Sequence, residues 1–291
     1  MGLRSELRHP RSIGIANTSV APVITLTTDF GLSDHYVAAV KGAILSVNPG
    51  ATVVDVSHDV LPQGIEHGAF LLGCAFPYFP AGSIHVAVVD PGVGTERLPL
   101  ALVTADGIFI GPDNGILSAA LADTCRKAAA GGALPIRLPT GAKAFVLSEA
   151  RFHRSSPSDT FHARDIFGPA AGHVSLGVSP SDLGQETNDI VVLPPFRATT
   201  RAGGALAGRI IHVDRFGNVI TTVRADQLPP SALRIEIGGR VIERLTRTYA
   251  EAGGLTALIG SSGFLEVAFS NGSAARELGV QSGDPVIVRP A

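Results

Sequence analysis

The sequence predicts an α/β N-terminal domain with a largely parallel central sheet, followed by a small all-β barrel as the C-terminal domain. Three observations carry this. β-Branched runs alternate with helical patterns through the first part of the chain, the signature of βαβ units. Short strand-like runs separated by turns fill the end, with no helical period to compete. Between them LPPFRATTRAGGA (193–205) has the proline and glycine content of a linker. The expected organisation is a disordered leader (1–22), an α/β domain (23–193), a linker (194–205) and a barrel (206–291).

The elements follow in order. VITLTTDF (23–30) is a strand ending on Asp29 and Phe30. A helix is predicted over 34–46, where Tyr36, Val37, Val40, Ile44 and Leu45 recur near helical spacing and Asn48-Pro49-Gly50 stops it. TVVDVSH (52–58) is the second strand, 64–79 a helix ending before Pro80, and SIHVAVVD (83–90) a third strand ending on Asp90. A hairpin around Ala105-Asp106-Gly107 and a further helix occupy 100–117 and beyond. The stretch 124–160 is weakly patterned and reads as loop, and 161–177 resumes as helix. In parallel sheets the carboxyl ends of strands host ligands, and Asp29, His58 and Asp90 all fall at such ends.

Composition narrows the function. Hydrophobic residues make up 45% and charged residues 16%, which excludes a disordered chain. A formal charge of -2 argues against a nucleic-acid partner, which needs a basic surface. No apolar run reaches the roughly 18 residues that span a bilayer, so no membrane partner is expected. Cys74 and Cys125 stand outside any CxxC pair and are read as reduced cytosolic thiols, placing the chain in the cytoplasm.

Two segments carry chemistry. In VVDPGVGTER (88–97), Pro91, Gly92 and Gly94 make a tight turn that holds Asp90 at the strand end and swings Arg97 back toward it. FHARDIF (161–167) puts His162 beside a helix start, with Arg164 and Asp165 behind it. A carboxylate, a guanidinium and an imidazole around one water can orient it as a nucleophile. Read singly, Asp90 equally caps its own turn and His162 equally serves as a hydrogen-bonded structural residue. Asp29 and Asp34 suit a ribose diol or an ammonium group, while Ser33 or Asp34 could instead cap the helix. Carboxylates and histidines at 29, 55, 58, 59 and 90 could gather a metal, but no metal-ligand spacing supports one, so none is expected. DRFGNVITT (214–222) reads as an ordinary hairpin.

Together, TTDFGLSDHYVAAVKG, VVDVSHDV, VVDPGVGTER, GPDNGIL, FHARDIFGP, DRFGNVITT and SSGFLEVAFSNGSAARELG resemble the S-adenosyl-L-methionine (SAM) hydroxide adenosyltransferases, relatives of the fluorinases and chlorinases. The resemblance runs from about Val23 to the C-terminus, and much of 124–160 falls outside it. It implies hydrolysis of SAM to adenosine and L-methionine by water or hydroxide attacking ribose C5′, with SAM as substrate and no separate cofactor. It also implies a homotrimer whose sites lie between the N-terminal domain of one subunit and the C-terminal domain of the next. Asp90, Arg97 and His162 match the catalytic trio of the hydrolytic branch, which the halogenases lack.

The resemblance further implies that Asp29 binds ribose, Asp34 and Asp214 hold the methionine amino group, Asn218 contacts adenine and Ser261 contacts the methionine carboxylate. Phe161 packs on the substrate or belongs to the core. Two departures stand out. The halogenases carry an arginine where this chain has Ser262, and a tryptophan near the position of Gln63. A halogenase, a non-enzymatic SAM or adenosine sensor and a metal-dependent hydrolase are the rival readings.

Overall fold

The computed structural model describes residues 22–129, 131–229, 233–251 and 253–290. The expected leader lies outside the described residues except for its last position. The first unit comprises β1 (Ile24–Thr28), α1 (Tyr36–Val47), β2 (Val53–Ser57), α2 (Ile65–Ala75), β3 (Ile84–Val88), β4 (Pro99–Val103) and β5 (Ile108–Pro112). It continues with the single turn α3 (Asp123–Arg126), β6 (Leu134–Arg137), β7 (Lys143–Val146), α4 (Gly168–Ser175), β8 (Glu186–Thr187) and β9 (Asp189–Val192).

Seven of these strands form one sheet in the order β2-β1-β3-β5-β4-β7-β8. β2, β1, β3 and β5 run parallel. β4, β7 and β8 extend the sheet antiparallel, because the tight turn closed by Thr104 and Gly107 reverses the chain between β4 and β5. The sheet is therefore mixed. β1 and β3 are buried along their whole length, as expected of strands covered on both faces.

One face packs Ile24, Leu26, Ile84 and Val86 against Val40 and Ile44 of α1 and Ala170, Ala171 and Val174 of α4. The other packs Ala87, Leu100, Leu102 and Phe109 against Leu72 of α2 and Ile116 and Leu117. Each of the valine, leucine, isoleucine and phenylalanine side chains contributes about 1.5–3 kcal/mol by leaving water. α4 lies close on α1 because Gly172 has no side chain; a Cβ there would stand 2.9 Å from Val47 Cβ.

The second unit is antiparallel, with β10 (Thr199–Thr200), β11 (Leu206–Val213), β12 (Val219–Arg224), β13 (Leu233–Ile237), β14 (Arg240–Ile242), β15 (Leu255–Ile259), β16 (Phe264–Phe269), the short α5 (Ala274–Leu278) and β17 (Pro285–Pro290). Its strands follow the order β14-β13-β17-β11-β12-β16-β15, and a bridge from Leu245 to Ala257 brings the two ends near closure around one apolar core. The units meet through Phe70, Leu193, Phe196, Ile211, Ile220 and Phe264. Arg126 donates to the carbonyls of Leu193 and Pro194 there, and Glu66 pairs with Arg209 at 2.8 Å.

Several local expectations change. α1 begins at Tyr36 after His35, and neither Ser33 nor Asp34 caps it. α2 ends at Ala75 and gives way to a 3-10 turn over Phe76–Tyr78, where Pro77 cannot continue an α-helix. The stretch read as loop contains β6 and β7, and the helix expected over 161–177 divides into a π turn (Ala163–Phe167) and α4. No helix among the described residues is long and apolar enough to cross a membrane.

Two histidines sit in this core neutral. His85 is sealed among Phe76, Phe79 and Phe109, and burial pushes it down to about 4; burial, with His212 beside it, does the same to His67. Unfolded histidines titrate near 6.5, so the unfolded chain gains protons first as pH falls. This stability contribution is complete above about pH 6.5 and is lost down to about pH 4. The thermal midpoint should fall between pH 7.5 and pH 5, and fall less in His85→Gln; a midpoint flat with pH contradicts the assignment.

Candidate functional site

Asp29 and Asp90 stand just past the carboxyl ends of the neighbouring parallel strands β1 and β3, whose register pairs Thr28 with Val88. The turn after β3 is closed by Val93 N–H on Asp90 O, Thr95 N–H on Gly92 O and the Thr95 hydroxyl on Gly92 O at 2.7 Å. It returns the chain so that Arg97 forks onto Asp90, Nε donating to Oδ1 at 3.0 Å and Nη2 to Oδ2 at 2.5 Å. The two side chains are only 9% and 6% exposed, so the pair is screened far less than a surface salt bridge.

The same Nη2 donates to His162 Nδ1 at 2.6 Å. A guanidinium has no lone pair to offer, so Nδ1 is the acceptor and the single ring proton resides on Nε2. Burial and the adjacent Arg97 push His162 below the usual histidine range, with Asp90, Asp159 and Asp165 opposing. The trio is thus a neutral imidazole and a carboxylate held by one guanidinium. Arg97 Nη1 is buried without a hydrogen-bond partner among the described residues, and the guanidinium lies over the Phe167 ring.

His162 is placed by the π turn that follows it, an irregularity frequent at functional sites. Asp165, fully buried, anchors that turn: Arg164 forks onto it at 2.7 Å twice, and Ser158 N–H donates to Oδ2. Burial pushes its carboxyl up, but Arg164, the Ser158 amide and Arg154 outweigh this and hold it below the usual range. Asp165 was visible in FHARDIF as a neighbour of His162, but no spacing rule marked it as the anchor of the loop. The loops of Asp90 and His162 touch at Gly94, whose φ is +76° and where a Cβ would stand 2.5 Å from Asp159 O.

Asp29, Phe30, Gln63, Asp90, Phe161 and His162 line a cleft of about 200 Å³. Arg97 lies behind Asp90 and His162 rather than on this wall. Phe161 packs edge-on against Phe30 and Tyr36, with centroids at 5.9 and 5.3 Å, and forms an aromatic side of the cleft. Asp29 Oδ2 accepts from Gln63 N–H at 2.8 Å. Asp34 is exposed, in the bend between β1 and α1. The structure therefore brings Asp29, Asp90, Phe161 and His162 to one cleft, with Arg97 behind.

The remaining residues lie elsewhere in the chain. Asp214 and Asn218 line a groove of about 820 Å³ on the second unit, with Phe216, Tyr249, Phe269 and Arg276. Asp214 accepts from the Phe216 and Asn218 amides and from Asn218 Nδ2, so it shapes its own turn. Ser261 lines a third cleft with Cys74, Arg126, Arg224 and Ser262. Among the described residues no three histidine, cysteine, aspartate or glutamate side chains group as a metal site. His58 and Asp55 pair with each other at 3.1 Å, and Lys41 takes Asp55 at 2.6 Å.

Residues 24–184 match the model of the SAM hydroxide adenosyltransferase N-terminal domain and residues 208–287 that of its C-terminal domain. A relative from Thermus thermophilus named (R)-S-adenosyl-L-methionine hydrolase is 40% identical over 91% of this chain and 98% of its own length. A fluorinase from an Actinoplanes species is 26% identical over 93% of this chain and 98% of its own. The crystal structure of an uncharacterised conserved protein from Thermotoga maritima superposes with a TM-score of 0.79 at 28% identity, covering 92% of this chain and 100% of that one.

Gly94→Ala forces the Asp90 and His162 loops apart at a backbone contact. A displacement near 1 Å costs on the order of a hundredfold in rate. Turnover of SAM should fall by about that factor with the circular dichroism spectrum preserved; unaltered turnover would show that the two loops need not touch.

Proposed function

The chain belongs to the SAM hydroxide adenosyltransferase family, and we propose that it hydrolyses (R)-S-adenosyl-L-methionine to adenosine and L-methionine. The observation that carries this reading is that Asp90 and His162, both held by Arg97 behind them, line a small cleft beside Asp29. The carboxylates of Asp29 and Asp90 favour a sulfonium there. Asp29 faces the ribose hydroxyls as acceptor, and Phe30 and Phe161 supply the apolar surface.

The reaction is an in-line displacement at C5′. Water's oxygen forms the new bond, the C5′–S bond breaks, its electron pair returns to sulfur, and methionine leaves as a neutral thioether. Water loses one proton as the bond forms. His162 Nδ1 is committed to Arg97, so His162 acts as an Nε2–H donor to the attacking oxygen rather than as its base. Asp90 is the acceptor of the trio and takes the proton. Arg97 is a positioning residue: its fork fixes both Asp90 and His162 from behind the cleft wall. SAM and water enter, adenosine, methionine and one proton leave, and the equation balances, so we assign no cofactor. Holding the nucleophile in line lowers the barrier, and excluding bulk water would lower it further for an attack that merges charge.

The R epimer is taken from the name of the hydrolase relatives. Inverting sulfur exchanges the methyl group and the amino-acid arm, so a site that fixes both ribose and that arm discriminates between epimers. A cleft of about 200 Å³ is small against typical ligand pockets of about 300–1,000 Å³. Phe216 and Tyr249 are 76% and 50% exposed beside the groove that holds Asp214 and Asn218. We infer that this groove covers the cleft of a second copy, giving a homotrimeric ring in which Asp34, Asp214 and Asn218 reach the amino acid and adenine; Ser261, in a separate cleft, is assigned to the carboxylate by the resemblance alone. The two free thiols and the nucleotide-like substrate suit the cytoplasm.

Purified protein incubated with mixed SAM epimers should consume the R form and release adenosine and methionine in equal amounts. With chloride present it should form no 5′-chloro-5′-deoxyadenosine. Asp90→Ala and Arg97→Lys should each lower turnover by on the order of a hundredfold, since one oriented polar contact is worth roughly 3 kcal/mol. Ligand binding without methionine release by the intact protein would instead establish a sensor.

A further inference from the structure

The loop between β2 and α2 forms the rim of the cleft and is held by three of its own amides. Val60 N–H donates to Thr28 O at 3.3 Å, Leu61 N–H to His67 Nδ1 at 3.0 Å and Gln63 N–H to Asp29 Oδ2 at 2.8 Å. Gln63 has φ of 61°, a left-handed conformation that residues with side chains seldom adopt and that persists only where surroundings impose it. The strained residue is therefore the one whose amide orients the Asp29 carboxylate.

His67, buried in the first turn of α2, connects this rim to the second unit. Its ring stacks on His212 of β11, with centroids 4.9 Å apart, and its Nε2 lies 2.8 Å from His212 Nδ1. An amide N–H can only donate, so His67 Nδ1 accepts from Leu61 and the ring proton sits on Nε2. Nε2 then donates to His212 Nδ1, and His212 carries its proton on Nε2. Adding a proton to His67 Nδ1 would expel the Leu61 amide. His212 lies two residues before Asp214, whose turn lines the groove. Asp214 acts on His212 as a neighbouring negative charge, and the Glu66–Arg209 bridge spans the same junction.

We propose that His67 is a positioning residue for the substrate site: it holds the rim loop that fixes Asp29, and through His212 it ties that carboxylate to the second sheet. The proposal rests on the reading of Asp29 as a ribose ligand. The strand-end aspartate is then aligned from the domain junction rather than by its own strand alone. A histidine pair that merely filled the junction would affect folding without acting selectively through Asp29.

His67→Phe keeps the ring volume and removes the acceptor, whereas His67→Gln retains one; His67→Leu serves if the phenylalanine variant does not fold. KM for SAM should rise about tenfold in His67→Phe, the scale of one lost hydrogen bond, with kcat within about twofold. His67→Gln should recover most of the loss. In an Asp29→Ala background His67→Phe should add nothing further, because both act on one contact. An equal KM penalty with and without Asp29 overturns the proposal. Hydrogen exchange of the Leu61 and Gln63 amides provides a readout independent of turnover: both should exchange faster in His67→Phe. Acceleration confined to Leu61 also overturns it. Should the unaltered protein fail to cleave SAM, the substrate reading falls, while the exchange measurement still decides whether His67 holds the Asp29 loop.

Discussion

One guanidinium organises the site. Arg97 donates to both oxygens of Asp90 and to one nitrogen of His162, and these three contacts settle charge, tautomer and orientation together. Because the acceptor nitrogen of His162 is already engaged, the imidazole can only donate toward the cleft, and the carboxylate is the group left to receive a proton. A lysine in place of Arg97 could not reproduce this, since a point charge lacks the planar fork that spans two partners. The fork is buried, so its geometry is maintained by packing rather than by surface charge alone.

The rest of the fold brings the ends of that fork together. Asp90 and Arg97 belong to one turn after β3, while His162 arrives from a loop ahead of α4. Those segments meet because α4 packs on α1 against the sheet, with Gly172 permitting the approach and Gly94 permitting the loops to touch. Asp165 stiffens the second loop by drawing Arg164, Arg154 and the Ser158 amide onto one buried carboxylate. The apolar core thus does more than stabilise the chain: it determines the separation of two polar loops that are far apart in sequence.

Much of this was legible in the residues. Asp29 and Asp90 close β-branched runs, so their placement at the ends of parallel strands follows from pattern alone, and the proline and glycines after Asp90 foretell the returning turn. β6 to β9 were not legible, because strands of two to four residues carry too little alternation to distinguish from loop. The π turn after His162 leaves no mark that separates it from an ordinary helix start. His35, with no capping bond, precedes α1 although Ser33 and Asp34 are the better cap formers. Asp214 sits where the resemblance places a ligand contact, yet within the chain its oxygens close the turn it begins. The positive φ of Gln63 has no sequence signature, since glycine or asparagine is the usual occupant of such a position.

The central claim is that the cluster delivers a water oxygen in line to C5′ with no covalent intermediate. It is tested most directly by hydrolysis in H₂¹⁸O of (R)-SAM made chiral at C5′ with deuterium. Direct attack by water puts ¹⁸O in the 5′ hydroxyl of adenosine and inverts the configuration at that carbon. Retained configuration, or adenosine without the heavy oxygen, would contradict it.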